Sequence, residues 1–283
     1  MSDSFFLAWS FPPWVCLALE ITAIVYWRGW WLIRKTRPAL FPVWRLCCFL
    51  AGIASIIVAL ASPLDTFSDR LLFLHMTQHL LLMSIAPPLI VLGAPTVPML
   101  RGLPRWLVRP VLGPLIRTIW LRHFFKSLVS LRVAWILMNV AYVGWHIPAA
   151  YELALGSWQW HIVEHACFLL SSILFWWPVI RPWPSRFSGS RWLLLPYLLS
   201  ADIVNTGLSA LLCFSGRVLY PSYADQPRMF GISALSDQAA AGALMWVFGS
   251  IIFLIPALVI TLQLLSPSRR PMAMQGVHSH SRV

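Results

Sequence analysis

Five of the eight histidines fall where three apolar segments meet one side of a membrane: His75 and His79, then His146, then His161 and His165. The two i, i+4 pairs each place both imidazoles on one helix face. Ionisable groups inside membrane segments are costly and mark functional positions. Imidazole suits copper, zinc, iron and nickel, and thioether adds a preference for Cu(I). Met76 and Met83 flank the first pair and Glu164 lies inside the second. A carboxylate there can ligate a metal or orient the imidazoles. The chemistry these residues suit is therefore metal handling, with copper as the first expectation.

The elements that position them are long apolar runs. Of 283 residues, 59% are hydrophobic and 11% are charged, where a soluble domain carries about a quarter charged residues. Mean hydropathy is +0.74. These values predict an all-α, polytopic membrane helix bundle of about seven transmembrane helices. The predicted spans are 13–33, 43–61, 70–92, 132–147, 157–180, 192–214 and 237–265. Residues 1–265 are read as a single seven-helix domain with a cytoplasmic interfacial loop at 93–131, and 266–283 as a disordered cytoplasmic tail. Pro87-Pro88 should end regular helix in the third span, and Pro178 and Pro256 should kink or end theirs.

The net charge of +12 does not point to nucleic acid, because the basic residues sit beside the spans. Arg34, Lys35, Arg37, the arginines from Arg101 to Arg132, then Arg181, Arg186, Arg191, Arg269 and Arg270 fall on one side. The other side holds only Arg70, Arg217 and Arg228. The positive-inside rule then puts the N-terminus outside and the C-terminus in the cytoplasm. Asp3, Asp65, Asp69, Glu152, Asp225 and Asp237 fall on the outer side. The piece Arg105–Trp120 reads as interfacial. Cys16, Cys47, Cys48, Cys167 and Cys213 form no CxxC and are expected to be packing residues. His278 and His280 in the tail are expected to do nothing defined. No cleavable leader is visible, so the first span is expected to be retained.

With this orientation, His75 and His79 lie about 8 to 14 Å along the third span from its outer end. His146 closes the outer end of the fourth span, and His161 and His165 open the fifth. Other polar residues are expected to face the same interior. Asn139, Tyr142 and His146 share a face. Asp202, Asn205, Thr206 and Ser209 make a stripe in the sixth span. Asp237, Gln238, Gly242 and Met245 open the seventh, and Glu20 lies two turns into the first. No phosphate loop, GxSxG elbow or HExxH motif is present, and the chain is expected not to be an enzyme.

Taken together, His75-Met-Thr-Gln-His79, Ala86-Pro-Pro-Leu, Leu92-Gly-Ala-Pro95, Trp145-His146-Ile-Pro148 with Tyr151, His161-x-x-Glu164-His165, and Asp237-Gln238 leading to Gly242 and Met245-Trp246 resemble the CtaG family. These are seven-span assembly factors of caa3-type cytochrome c oxidase. The resemblance implies a bacterial inner-membrane protein that helps to build a haem-copper oxidase at its copper centre. Its partners would be the oxidase subunits, the lipid bilayer and a periplasmic copper donor. It carries this role onto His75, His79, His146, His161, His165 and Asp237. Glu164, Asp202, Met76, Met83, Met245 and Tyr142 are expected to support the cluster. Two other readings use the same residues: haem held by paired axial histidines, and a proton or metal-ion transporter along Asp237, Asp202 and Asn205.

Overall fold

The computed structural model describes residues 8–185, 189–226 and 229–266. Asp3, Arg186, Arg228 and the tail with Arg269, Arg270, His278 and His280 lie outside these. The described residues form helices and connecting loops, with no strand among them. The main helices are α1 (Pro13–Arg34), α2 (Val43–Ala61), α3 (Leu72–Leu92), α4 (Ile119–Leu128), α5 (Leu131–Trp145), α6 (Pro148–Leu155), α7 (Trp158–Ile180), α8 (Leu194–Phe214) and α9 (Ala234–Leu265). Six helices are long and apolar enough to cross a membrane, and a seventh span arises if α4 and α5 are taken as one. This is a multi-pass membrane protein.

The fourth span is the irregular one. α5 has 15 residues, about 22 Å of helix, which is short of a hydrocarbon core of about 30 Å. α4 precedes it at a bend of 61°. α4 carries Arg122 and Lys126 among exposed Ile119, Phe124 and Phe125, the pattern of a helix lying at an interface. The stretch before it splits in two. Thr96–Gly102 docks on α1 so closely that a Cβ on Gly29 would come within 1.8 Å of the Pro98 carbonyl oxygen, and one on Gly102 within 1.8 Å of that of Val25. From Arg105 onward the chain is more open, with Trp106 and Trp120 exposed.

α3 is the central helix. Within its apolar window 61% of residues are buried, against 22% for α1. One face packs on α1 and α2 through Leu82, Ala86 and Ile90. The other joins α5, α7, α8 and α9 through Leu72, Met76, Met83 and Val91. His75, Gln78, His79 and Ser84 of α3 are therefore shielded from lipid on most sides.

Pro87-Pro88 does not end α3. The helix widens into a π turn at Leu81–Ile85 and resumes as α-helix over Ala86–Leu92, with the prolines in its first turn. Ala86 N–H bonds to the Leu81 carbonyl, an i to i+5 step. Proline lacks an N–H and its ring crowds the preceding turn. The wider turn relieves that conflict, and prolines are well accommodated in the first turn of the resumed helix. Pro256 likewise does not stop α9, which runs on to Leu265, while Pro178 lies two residues before the end of α7.

Candidate metal centre

The histidines of α3 are placed by a cap. Asp237, near the start of α9, accepts from the backbone N–H of Leu72 at 2.7 Å through Oδ2 and of Phe73 at 3.1 Å through Oδ1. Those N–H groups have no partner inside the helix, and a carboxylate satisfies both. Gln78 fixes the other side of α3 by donating from Nε2 to the Ala59 carbonyl at 2.9 Å and to Asp65 Oδ1 at 2.8 Å. With its start and flank held, α3 presents His75 and His79 to α7.

α7 answers with one turn of its own. His161, Glu164 and His165 occupy i, i+3 and i+4, so all three face α3. One ligand atom each from His75, His161, Glu164 and His165 lies within 4.8 Å of all the others. Ring centroids are 5.2 Å apart for His75 and His161, and 4.2 Å for His161 and His165. His75 and Glu164 are fully buried, His165 is buried, and His161 is partly exposed. His79 touches the edge of this group, with Nε2 3.7 Å from Glu164 Oε1 and a ring centroid 5.6 Å from that of His165. His146 stands one step further, 5.9 Å from His79 between centroids. The structure thus brings all five histidines and Glu164 into one cluster, graded from His161 at the rim to His146 inside.

Hydrogen bonds fix which nitrogen is free on His75 and on His146. Tyr223 Oη donates to the Ser68 carbonyl at 2.7 Å and lies 3.2 Å from His75 Nδ1. Burial pushes the Tyr223 phenol well above its ordinary value, so it keeps its proton. With that proton directed to Ser68, His75 Nδ1–H is the donor to Tyr223, and the lone pair of Nε2 faces Glu164. His146 Nδ1 lies 2.7 Å from the Tyr142 carbonyl. A carbonyl only accepts, so Nδ1 carries the hydrogen and Nε2 its lone pair. The buried Nε2 atoms of all five histidines, Nδ1 of His79 and both oxygens of Glu164 have no hydrogen-bond partner. Buried polar groups are otherwise almost always paired. Three imidazoles and a carboxylate with free lone pairs suit a transition metal.

The supporting residues divide. Tyr142 donates to Asn205 Oδ1 at 3.0 Å. Together with Met76, Met83 and Met245 it lines a cavity on the inner side of His79 and His146. These four belong to that cavity and not to the histidine–glutamate group. Asp237 is the helix cap. Asp202 stays apart: it is half-buried and accepts from Ser250 Oγ at 2.7 Å. Glu20 corrects an expectation, because its side chain is exposed on the outer face of α1 and not turned inward. α1 contacts the bundle mainly through Tyr26, Gly29, Trp30 and Ile33, and Glu20 lies off that face.

Several residues of the site carry little sequence signal. Tyr220 donates to the His146 carbonyl at 3.0 Å, and Tyr151 and Tyr223 pair through their hydroxyls at 3.1 Å. Glu152 holds the loop that carries the tyrosines by accepting from Ser222 N–H at 3.2 Å and from Ser222 Oγ. The only cue to this lid is the pair of tyrosines three residues apart around Pro221. Periodicity does not report a loop that folds over a helix end.

Comparison with known proteins adds a family. The sequence model described as cytochrome c oxidase caa3 assembly factor (Caa3_CtaG) matches residues 24–266. An uncharacterized protein of Mycobacterium leprae is 25% identical over 86% of this chain and 37% of its own length. Uncharacterized proteins of Mycobacterium bovis and Mycobacterium tuberculosis are each 24% identical over 96% of this chain and 42% of theirs. The chain therefore spans about two fifths of the length of these curated relatives. No solved structure matches.

Proposed function

This chain belongs to the cytochrome c oxidase caa3 assembly factor family, and from that premise we propose that it supplies copper to a haem-copper oxidase during assembly. Copper is cargo here, received and released at the histidine-bearing end of the bundle. The observation that carries the reading is the group His75, His161, Glu164 and His165, with ligand atoms within 4.8 Å of one another and free of hydrogen bonds. His161, partly exposed, is the entry ligand. His75 is held by Tyr223 with Nε2 directed at Glu164. Glu164 contributes a negative charge that the imidazoles lack, which favours a cation in an otherwise apolar setting. In the orientation given by the arginines this end faces the outside of a bacterial inner membrane. A periplasmic donor and the oxidase would meet it there.

The cavity geometry favours metal over haem. The cavity inside His79 and His146 has a volume of about 40 Å³. A cavity of that size is smaller than a porphyrin, which supports a bare ion over haem at this position.

The test is metal content by mass spectrometry on detergent-purified protein after Cu(I) loading and desalting. His75→Ala/His161→Ala is expected to bind one equivalent less than the wild type. In cells, deletion of the gene is expected to lower the copper content of the oxidase under copper limitation. A wild type that binds no copper, or an oxidase with unchanged copper in the deletion strain, would defeat the reading.

A further inference from the structure

Beneath the histidine–glutamate group lies a second set of donors of a different kind. The cavity inside His79 and His146 is lined by four methionines, Met76 and Met83 from α3, Met138 from α5 and Met245 from α9. All four are buried, and their helices surround the space on three sides. Methionine often serves as pliant filler in a core, and filler alone would account for the sulfurs. It does not account for the imidazoles. His79 and His146 are at most 4% exposed and both line this cavity. His146 Nε2 and both ring nitrogens of His79 are buried without a partner. His146 Nδ1–H is bound to the Tyr142 carbonyl, so the nitrogen left over is a bare lone pair.

The chemistry of the two donor sets differs in charge. Among the described residues, no carboxylate or thiol lines the cavity, whereas Glu164 belongs to the outer set. Neutral imidazole and thioether donors select a soft monovalent ion. His79 touches both sets. Its Nε2 is 3.7 Å from Glu164 Oε1, and its ring stands 5.6 Å from His165 and 5.9 Å from His146 between centroids.

We propose that the cavity lined by Met76, Met83, Met138, Met245, His79 and His146 is a second copper position, which holds Cu(I) beside the histidine–glutamate group with His79 shared between them. This rests on the copper reading above. The ion keeps its oxidation state in moving between the positions, and the exchange is one of neutral sulfur and nitrogen donors for nitrogen and carboxylate. The outer position is the more accessible because of His161, and the inner one is a store shielded from water.

The experiment is Cu(I) titration against a chromophoric chelator, with copper K-edge X-ray absorption on the loaded full chain. The absorption measurement uses a background in which the five free cysteines are alanine, so that any copper–sulfur scattering comes from methionine. The wild type is expected to bind two Cu(I), with copper–sulfur scattering. Met76→Leu/Met245→Leu, close in volume, is expected to bind one and to lose that scattering. His161→Ala/Glu164→Gln is expected to bind one and to keep it. A wild type that binds one Cu(I) without copper–sulfur scattering overturns the inner position and leaves the outer reading intact. A wild type that binds none overturns both. If the leucine variant does not accumulate, the scattering of the cysteine-free parent decides the question.

Discussion

Asp237 and Glu164 are both buried carboxylates at the same end of the bundle, within reach of the same stretch of α3. Asp237 accepts two backbone N–H groups, whereas Glu164 accepts none and its nearest histidine nitrogens stand 3.7 and 3.9 Å away. The contrast extends to their neighbours. Gln238, beside Asp237, accepts from Leu219 N–H at 2.7 Å and donates to the carbonyls of Leu212 and Arg217. The histidines around Glu164 have free Nε2 atoms. An unpaired buried polar group costs about 1 to 3 kcal/mol, so the cluster around Glu164 is a cost that the rest of the bundle sustains. Burial of a polar residue therefore does not identify a binding site. The cap is buried and complete, and the cluster is buried and incomplete.

The contrast breaks first at the cap. Asp237→Ala removes two hydrogen bonds to a charged acceptor and leaves the first turn of α3 without its cap. Two charged hydrogen bonds set an upper limit of about 3 to 6 kcal/mol and a typical cap a lower one of about 1, so an intermediate loss of about 2 to 4 kcal/mol is expected. Thermal unfolding in detergent would show a lower Tm, while protein that remains folded should still bind copper. Loss of copper with unchanged Tm would instead make Asp237 part of the metal centre.

Glu164→Gln sharpens the other side. Its removal exposes no unpaired partner, because none is paired now, and the amide can donate to a free histidine nitrogen. The fold is expected to change by less than about 1 kcal/mol. Copper affinity is expected to fall at least tenfold, about 1.4 kcal/mol. Bound ligand stabilises the native state by an amount that grows with the logarithm of its affinity. Copper should therefore raise the Tm of the wild type more than that of the variant. Equal increases in both would remove Glu164 from the ligand set.

Much of this arrangement is legible in the order of the amino acids. Spans of about 20 apolar residues give the helices, and i, i+4 histidines on α3 and α7 give the two facing donors, since helical periodicity fixes which side chains share a face. The same reasoning misplaces Glu20. Hydropathy locates a charge along a span but not around it, and α1 packs through a narrow face that Glu20 does not share. The π turn before Pro87-Pro88 is equally hidden, because its register depends on how α3 is gripped by its neighbours. The tyrosine lid escapes periodicity because loops carry no period. Residue type does not separate cap from cluster at all: Asp237 and Glu164 look alike until their hydrogen-bond partners are counted.

Asp202 is the smallest test and the one that separates a third kind of polar residue. It sits in α8, half-buried, with one hydrogen bond from Ser250 Oγ, and it neither caps a helix nor touches the histidines. Its neighbour Asn205 faces inward instead, close enough to α9 that a Cβ on Gly249 would come within 2.6 Å of the Asn205 side chain. A single hydrogen bond of this kind contributes about 1 kcal/mol, and asparagine keeps an acceptor for the serine. Asp202→Asn is therefore expected to lower stability by less than about 1 kcal/mol and to leave copper stoichiometry unchanged. The same variant would report on ion movement through α8. If it abolished metal or proton flux in liposomes, the polar stripe of that helix would be a pathway, and the bundle would have a transport task in addition to the copper role proposed for its histidine-bearing end. If copper binding and flux both stay at wild-type levels, Asp202 serves only the packing of α8 on α9, and the functional polar residues are confined to the histidine-bearing end.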